Sequence, residues 1–141
     1  MNKKAFTMIE LLIVIVILGL LSTLVMPNIF QKTEKAKKDI TCLKMSNVVN
    51  ALNEFRNDNG TYPTTNEGLE ILLKNTKLEK YKKYNENGYL VNKKEIKDAW
   101  NTKYIYLKTI NGFKLISKGS DLKEGGNTQL EKDFEYKECN K

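Results

Sequence analysis

The sequence predicts an α+β fold: a long N-terminal α-helix, transmembrane in its lower half, packed through its upper half on a small antiparallel β-sheet head. Three observations carry that prediction. Leu11 to Gln31 is a run of twenty-one residues without a charge, which as a helix spans about 30 Å, the hydrocarbon thickness of a bilayer. Past Pro27 the apolar residues return at spacings near three and four, the mark of an amphipathic helix. Toward the C-terminus two alternating segments flank Asn111-Gly112, a strong hairpin signal. The 141 residues suffice for one modest core.

Composition narrows the function. Lys and Arg number 24 against 17 Asp and Glu, a formal charge of +7, and histidine is absent. That absence removes Ser-His-Asp hydrolysis, His-ligated zinc and histidine pH switches. No nucleophile stands paired with a base, and the Gly-rich stretch lacks the Lys-Ser/Thr of a phosphate loop. The chain reads as a non-enzyme. Lys74, Lys77, Lys80, Lys82 and Lys83 lie near Tyr81 and Tyr84, a basic and aromatic mixture seen in nucleic-acid binders. No nucleic-acid motif accompanies it, so a solvated loop is the favoured reading and nucleic acid is not expected as a partner.

The chain opens Met1-Asn2-Lys3-Lys4-Ala5-Phe6-Thr7-Met8-Ile9-Glu10. Lys3 and Lys4 precede the apolar run, so the positive-inside rule keeps the N-terminus cytoplasmic and sends the remainder across. A cleaved secretory signal fits poorly, since the run is long and no small-x-small site closely follows it. A plain membrane anchor fits the run, but neither explains Glu10. A carboxylate there is either an interfacial residue snorkelling to the headgroups or a functional group with a partner to be named. Gly19 and Pro27 both weaken a helix. Taken alone, Gly19 reads as a packing contact and Pro27 as a kink.

Further along, Ile29, Phe30, Ala36, Ile40, Leu43, Val48, Ala51, Leu52 and Phe55 predict an amphipathic helix over 28–58, stopped by Asn57-Asp58-Asn59-Gly60. Thr64 and Glu67 form a capping box and predict a short helix over 65–74. Residues 75–95 read as a polar connection with one short strand at Tyr89–Val91. Trp100 reads as core. The hairpin is expected over 104–117, with Phe113 and Leu115 sharing one face and Lys114 and Ile116 the other. A Gly-rich loop with carboxylates follows over 118–133. Such a loop suits calcium, although it lacks the EF-hand spacing and, from the residues alone, reads as a plain acidic loop.

The string Lys3-Lys4-Ala5-Phe6-Thr7-Met8-Ile9-Glu10-Leu11-Leu12 resembles the class III signal of type IV pilins and type II secretion pseudopilins. The resemblance implies a leader over 1–5, cut between Ala5 and Phe6 by a prepilin peptidase. It implies methylation of the new N-terminal Phe6, a transmembrane and fibre-core helix over 6–27, and a periplasmic head over 28–141. Glu10 would pair with the Phe6 amine of a neighbouring subunit. Ala5 stands where the family usually has Gly. Gly19 and Pro27 fall where pilins carry a Gly and a Pro.

Two later segments are similar to the major pseudopilin of type II secretion. Tyr62-Pro63-Thr64-Thr65 with Gly68-Leu69 matches its Tyr-Pro-Thr-Thr segment. Asp98, Trp100, Tyr104 and Tyr106 match its Trp segment, where Ala99, Asn101 and Lys103 replace two prolines and a Gly. Asn tolerates the left-handed conformation, so the turn is expected to survive. Gly119-Ser120-Asp121 with Glu124-Gly125-Gly126 is similar to that family's calcium loop. The resemblance implies Ca2+ held by Asp121, Asp133 and Glu131 with the Lys118 carbonyl. Leu122 stands in place of a Gly.

Cys42 and Cys139 would be unpaired in a cytosolic protein. The extracytoplasmic head places both in an oxidising space, where a bridge between them is expected. Calcium-loop pseudopilins usually lack this pair.

The resemblance implies a structural role: a major subunit of the type II secretion pseudopilus, held in the bacterial inner membrane and then lifted into a homo-oligomeric periplasmic fibre that drives export across the outer membrane. Minor pseudopilins and an inner-membrane assembly platform would be its partners. The alternative is a type IV pilin of a surface fibre for adhesion, motility or DNA uptake. A rival of another class is a membrane-anchored binding protein whose basic head captures an acidic ligand.

Overall fold

A computed structural model describes residues 6–77, 79–126, 128 and 131–140, and for residues 24–28 and 140 the backbone alone. The expected leader, with Ala5, lies outside the described residues. The chain forms two compact units, Met1–Glu34 and Lys35–Lys141, and helix α1, Met8–Asn59, contributes to both.

Between Leu11 and Leu21 α1 is apolar on every side, with Leu11, Ile13, Ile15, Leu18 and Leu21 all exposed. The hydroxyls of Ser22 and Thr23 donate to the carbonyls of Leu18 and Leu20, each at 2.7 Å. Their polar groups are thereby satisfied inside the helix. The sequence predicts a membrane-crossing helix over 6–27. Among the described residues no helix is long and apolar enough to cross a membrane. The described side chains of the run stop at Thr23, short of the roughly 20 apolar residues a span requires.

In the second unit α1 buries Thr41, Met45, Val48, Leu52 and Phe55, a stripe at alternating spacings of four and three. Ile40 and Leu43, expected on that face, are 49% and 70% exposed. Thr41 displaces them because its hydroxyl accepts a hydrogen bond from the Ala99 N–H at 3.0 Å, which makes a polar residue at the core edge tolerable. The helix ends at Gly60, which takes φ 75° and donates to the Arg56 carbonyl at 2.7 Å.

The capping box at Thr64–Glu67 forms. The Thr64 N–H donates to Glu67 Oε2 at 2.8 Å and the Glu67 N–H to Thr64 Oγ1 at 3.3 Å. The helix expected over 65–74 does not follow. Gly68 turns to φ 62° and ends the first turn, leaving only a 3-10 helix at Glu70–Leu72. Nor is Tyr89–Val91 a strand. The N–H groups of Tyr89 and Leu90 both donate to the Leu72 carbonyl, at 2.7 and 3.1 Å, so this backbone is committed to a loop. The connection is pinned by tyrosines: Tyr81, Tyr84 and Tyr89 stand edge-on to the Phe55 ring, with centroids 4.9, 6.1 and 5.4 Å away.

Three antiparallel strands form one sheet in sequence order: β1 Ile105–Lys108, β2 Phe113–Ser117 and β3 Phe134–Glu135. Tyr106 pairs with Leu115 and both are buried, while Lys114 faces solvent. Trp100 is half-buried and packs against the core rather than within it. A second 3-10 helix, Tyr136–Asn140, ends the described chain.

Candidate functional site

The first site residue lies at the start of α1. Thr7 directs both its N–H and its hydroxyl to Glu10 Oε2, at 2.9 and 2.8 Å. The Glu10 N–H returns a bond to Thr7 Oγ1 at 3.3 Å. Glu10 thus closes a capping box on its own helix. Sequence reasoning missed Thr7, although its Thr-x-x-Glu spacing repeats the one recognised at Thr64–Glu67. Phe6, just before the helix, is 81% exposed.

The head is organised around Asp98, which is 2% exposed. Its Oδ1 accepts from the N–H groups of Trp100 and Thr102 at 3.0 and 2.8 Å, and its Oδ2 from Ser117 Oγ at 2.8 Å. Its carbonyl accepts from Lys44 Nζ at 3.1 Å. One buried residue therefore joins α1, the Trp turn and β2 with its hydrogen bonds satisfied. Within that turn Asn101 takes φ 67°, the left-handed conformation that Asn tolerates.

The loop after β2 begins from this anchor, since the Gly119 N–H donates to Ser117 Oγ at 3.3 Å. It closes through a two-way clasp. The Gly125 N–H donates to Asp133 Oδ2 at 3.1 Å, and the Asp133 N–H to the Gly125 carbonyl at 2.9 Å. Gly126, at φ 103°, lies so close that an added Cβ would meet the Glu131 carbonyl at 2.5 Å.

The expected calcium donors have separate engagements. Glu131 Oε2 accepts from the Thr128 N–H at 3.2 Å, and Asp121 Oδ1 from the Lys123 N–H at 3.1 Å. At Lys118, whose carbonyl is the expected donor, the side-chain ammonium lies 3.6 Å from Glu124 Oε1. Asp133 differs, because its Oδ1 is buried with no hydrogen-bond partner among the described residues. A buried orphan carboxylate oxygen fits a cation ligand. Among the described residues, however, no three Asp, Glu, His or Cys side chains gather into a metal site.

Cys42 on α1 and Cys139 in the last 3-10 helix are joined by a disulfide, with their Cα atoms 5.6 Å apart. The bridge spans a sequence separation of 97 residues. In the lysine and tyrosine mixture over 74–84, Tyr81 is buried against Phe55, and the Lys80 ammonium pairs with Glu67 at 2.7 Å.

A family model described as type II secretion system (T2SS), protein G matches residues 28–134, and one described as a prokaryotic N-terminal methylation motif matches residues 1–26. The chain belongs to the type II secretion system protein G family. A protein G relative in Pseudomonas aeruginosa, type II secretion system core protein G, is 39% identical over 128 residues, covering 89% of each chain. The core protein G of Vibrio cholerae is 38% identical over 130 residues, covering 89% of this chain and 86% of that one. The crystal structure of the major pseudopilin from the type 2 secretion system of enterohaemorrhagic Escherichia coli is similar in fold, with a TM-score of 0.61 at 26% identity. It covers 77% of this chain and 93% of that one. The protein G family is one of structural subunits, and the long helix with a small antiparallel sheet is its architecture in this chain.

Proposed function

We infer that this chain is a structural subunit of a type II secretion pseudopilus. One observation carries the inference: the methylation motif and the protein G match follow one another on a single chain, over residues 1–26 and 28–134. The exposed aliphatic surface of the first unit supports it, because a helix apolar on all sides needs lipid or other helices around it.

The finer reading rests on the resemblance of the N-terminal segment and the Gly-rich loop. A prepilin peptidase cuts between Ala5 and Phe6 and methylates Phe6. The helix over 6–27 anchors the subunit in the inner membrane with its head in the periplasm. An assembly platform and minor pseudopilins then draw it into a fibre. Glu10 begins bonded to Thr7 and, on assembly, receives the Phe6 amine of a neighbour, which compensates its charge in the apolar fibre core. The loop over 118–133 would hold a Ca2+ through Asp133 and Asp121, with Glu131 and the Lys118 carbonyl; the Asp121 and Glu131 carboxylates each already accept one N–H, from Lys123 and Thr128. A bound cation would supply charge compensation to Asp133 and a further tie across the loop.

Mass spectrometry of the membrane-extracted protein tests this reading. A mass lacking Met1–Ala5 and carrying one added methyl is expected. An intact N-terminus would overturn it.

A further inference from the structure

The loop after β2 is held at its two ends by different chemistry. At its start, Ser117 is fully buried and bonded to the buried Asp98 carboxylate. At its end, Asp133 leads directly into β3, a strand of two residues with two register pairs, Ile116 with Glu135 and Ser117 with Phe134. So short a strand is marginal alone. The 3-10 helix after it, Tyr136–Asn140, is a weakly bonded element by nature. Two anchors hold this return. Phe134 is 3% exposed, with the Lys38 ammonium 4.9 Å from its ring centroid. Beyond it, Cys139 is covalently joined to Cys42 on α1.

We propose that the Cys42–Cys139 disulfide is the lock of the Gly125–Asp133 clasp, so that thiol oxidation sets whether the clasp is closed. The clasp consists of backbone and carboxylate bonds between Gly125 and Asp133, and Asp133 is adjacent in sequence to the strand the disulfide retains. With the bridge open, the return keeps only its two register pairs with β2 and the packing of Phe134 and Tyr136, and Asp133 and its orphan Oδ1 lose their fixed position. The upstream anchor does not depend on sulfur, because Asp98 and Ser117 keep their own bonds. Closing the lock is a thiol–disulfide exchange. The Cys42 and Cys139 thiols lose two electrons and two protons as their S–S bond forms, and an external disulfide is reduced to two thiols.

The consequence for the proposed cation rests on the calcium reading above. A loop already closed loses less freedom on binding, so oxidised protein should hold Ca2+ more tightly than reduced protein.

Hydrogen exchange of the full chain in detergent tests the lock, comparing oxidised protein, protein treated with a phosphine reductant, and the Cys42→Ser/Cys139→Ser variant. The expected result is a local one. Peptides covering 125–126 and 131–138 exchange about tenfold faster without the bridge, while peptides covering 97–105 keep their protection. Equal acceleration in both regions would show a general stabiliser rather than a lock, and unchanged exchange at 131–138 would show that the remaining pairing and packing suffice; either overturns the proposal. Calcium titration of the same three samples separates the two readings. If oxidised protein binds no Ca2+ while the exchange pattern appears, the cation reading fails and the lock stands.

Discussion

Thr7 places two donors on a single oxygen of Glu10, its N–H at 2.9 Å and its hydroxyl at 2.8 Å. The acid we propose as the partner of a neighbour's amine is therefore already oriented by the residue three positions before it. Glu10→Ala removes both the cap and the charge and should abolish fibre formation. Thr7→Ala leaves the charge but not its orientation, and should reduce fibre yield, with Thr7→Ser restoring it. Pelleted fibre measured by immunoblot, against equal membrane pools of each variant, checks the order of these effects.

Glu67 sets an acid limit on the head. Burial pushes its carboxyl up, but hydrogen bonds from Lys80, Thr64 and Tyr81 outweigh that and hold it down at about 2, against an ordinary value of 4.5. A lowered folded-state value means that the stabilisation is fully present above about 4.5 and is lost as pH falls toward 2. The melting temperature should therefore fall across that window. Glu67→Gln should start lower at neutral pH and show a flatter profile, as thermal melts at stepped pH would record.

Much of the fold was legible in the sequence because the signals were local and repeated. The Asn111-Gly112 turn flanked by alternating residues became β1 and β2, and Asn101 took the left-handed turn that its side chain tolerates. What escaped had both distant and local causes. Thr41 is buried in place of Ile40 because of Ala99, 58 residues away. The helix over 65–74 failed because Gly68 took φ 62° after one turn. β3 is two residues long and has no periodicity to read. In the candidate site, Glu10 was legible but its partner Thr7 was passed over. Asp133 was legible as an acid, but its buried orphan oxygen emerged only from packing.

Leu122 carries strain that can be relieved. It sits at φ 63°, where a side chain meets its own backbone. Leu122→Gly should raise stability by about 0.5–1 kcal/mol once the entropic cost of glycine is subtracted, seen as a rise of about 3 °C in melting temperature. Asn101→Gly, at φ 67°, should gain less, because Asn already accepts that conformation.

The most direct measurement is a fibre reconstruction by electron cryo-microscopy, from cells expressing this chain with its secretion machinery. The expected result is a helical fibre with Phe6 as the first residue, α1 in the core, and the Glu10 carboxylate within ion-pair distance of a neighbour's Phe6 amine. Fibres that form with residues 1–5 still attached, or with Glu10 turned away from every Phe6 amine, would contradict it.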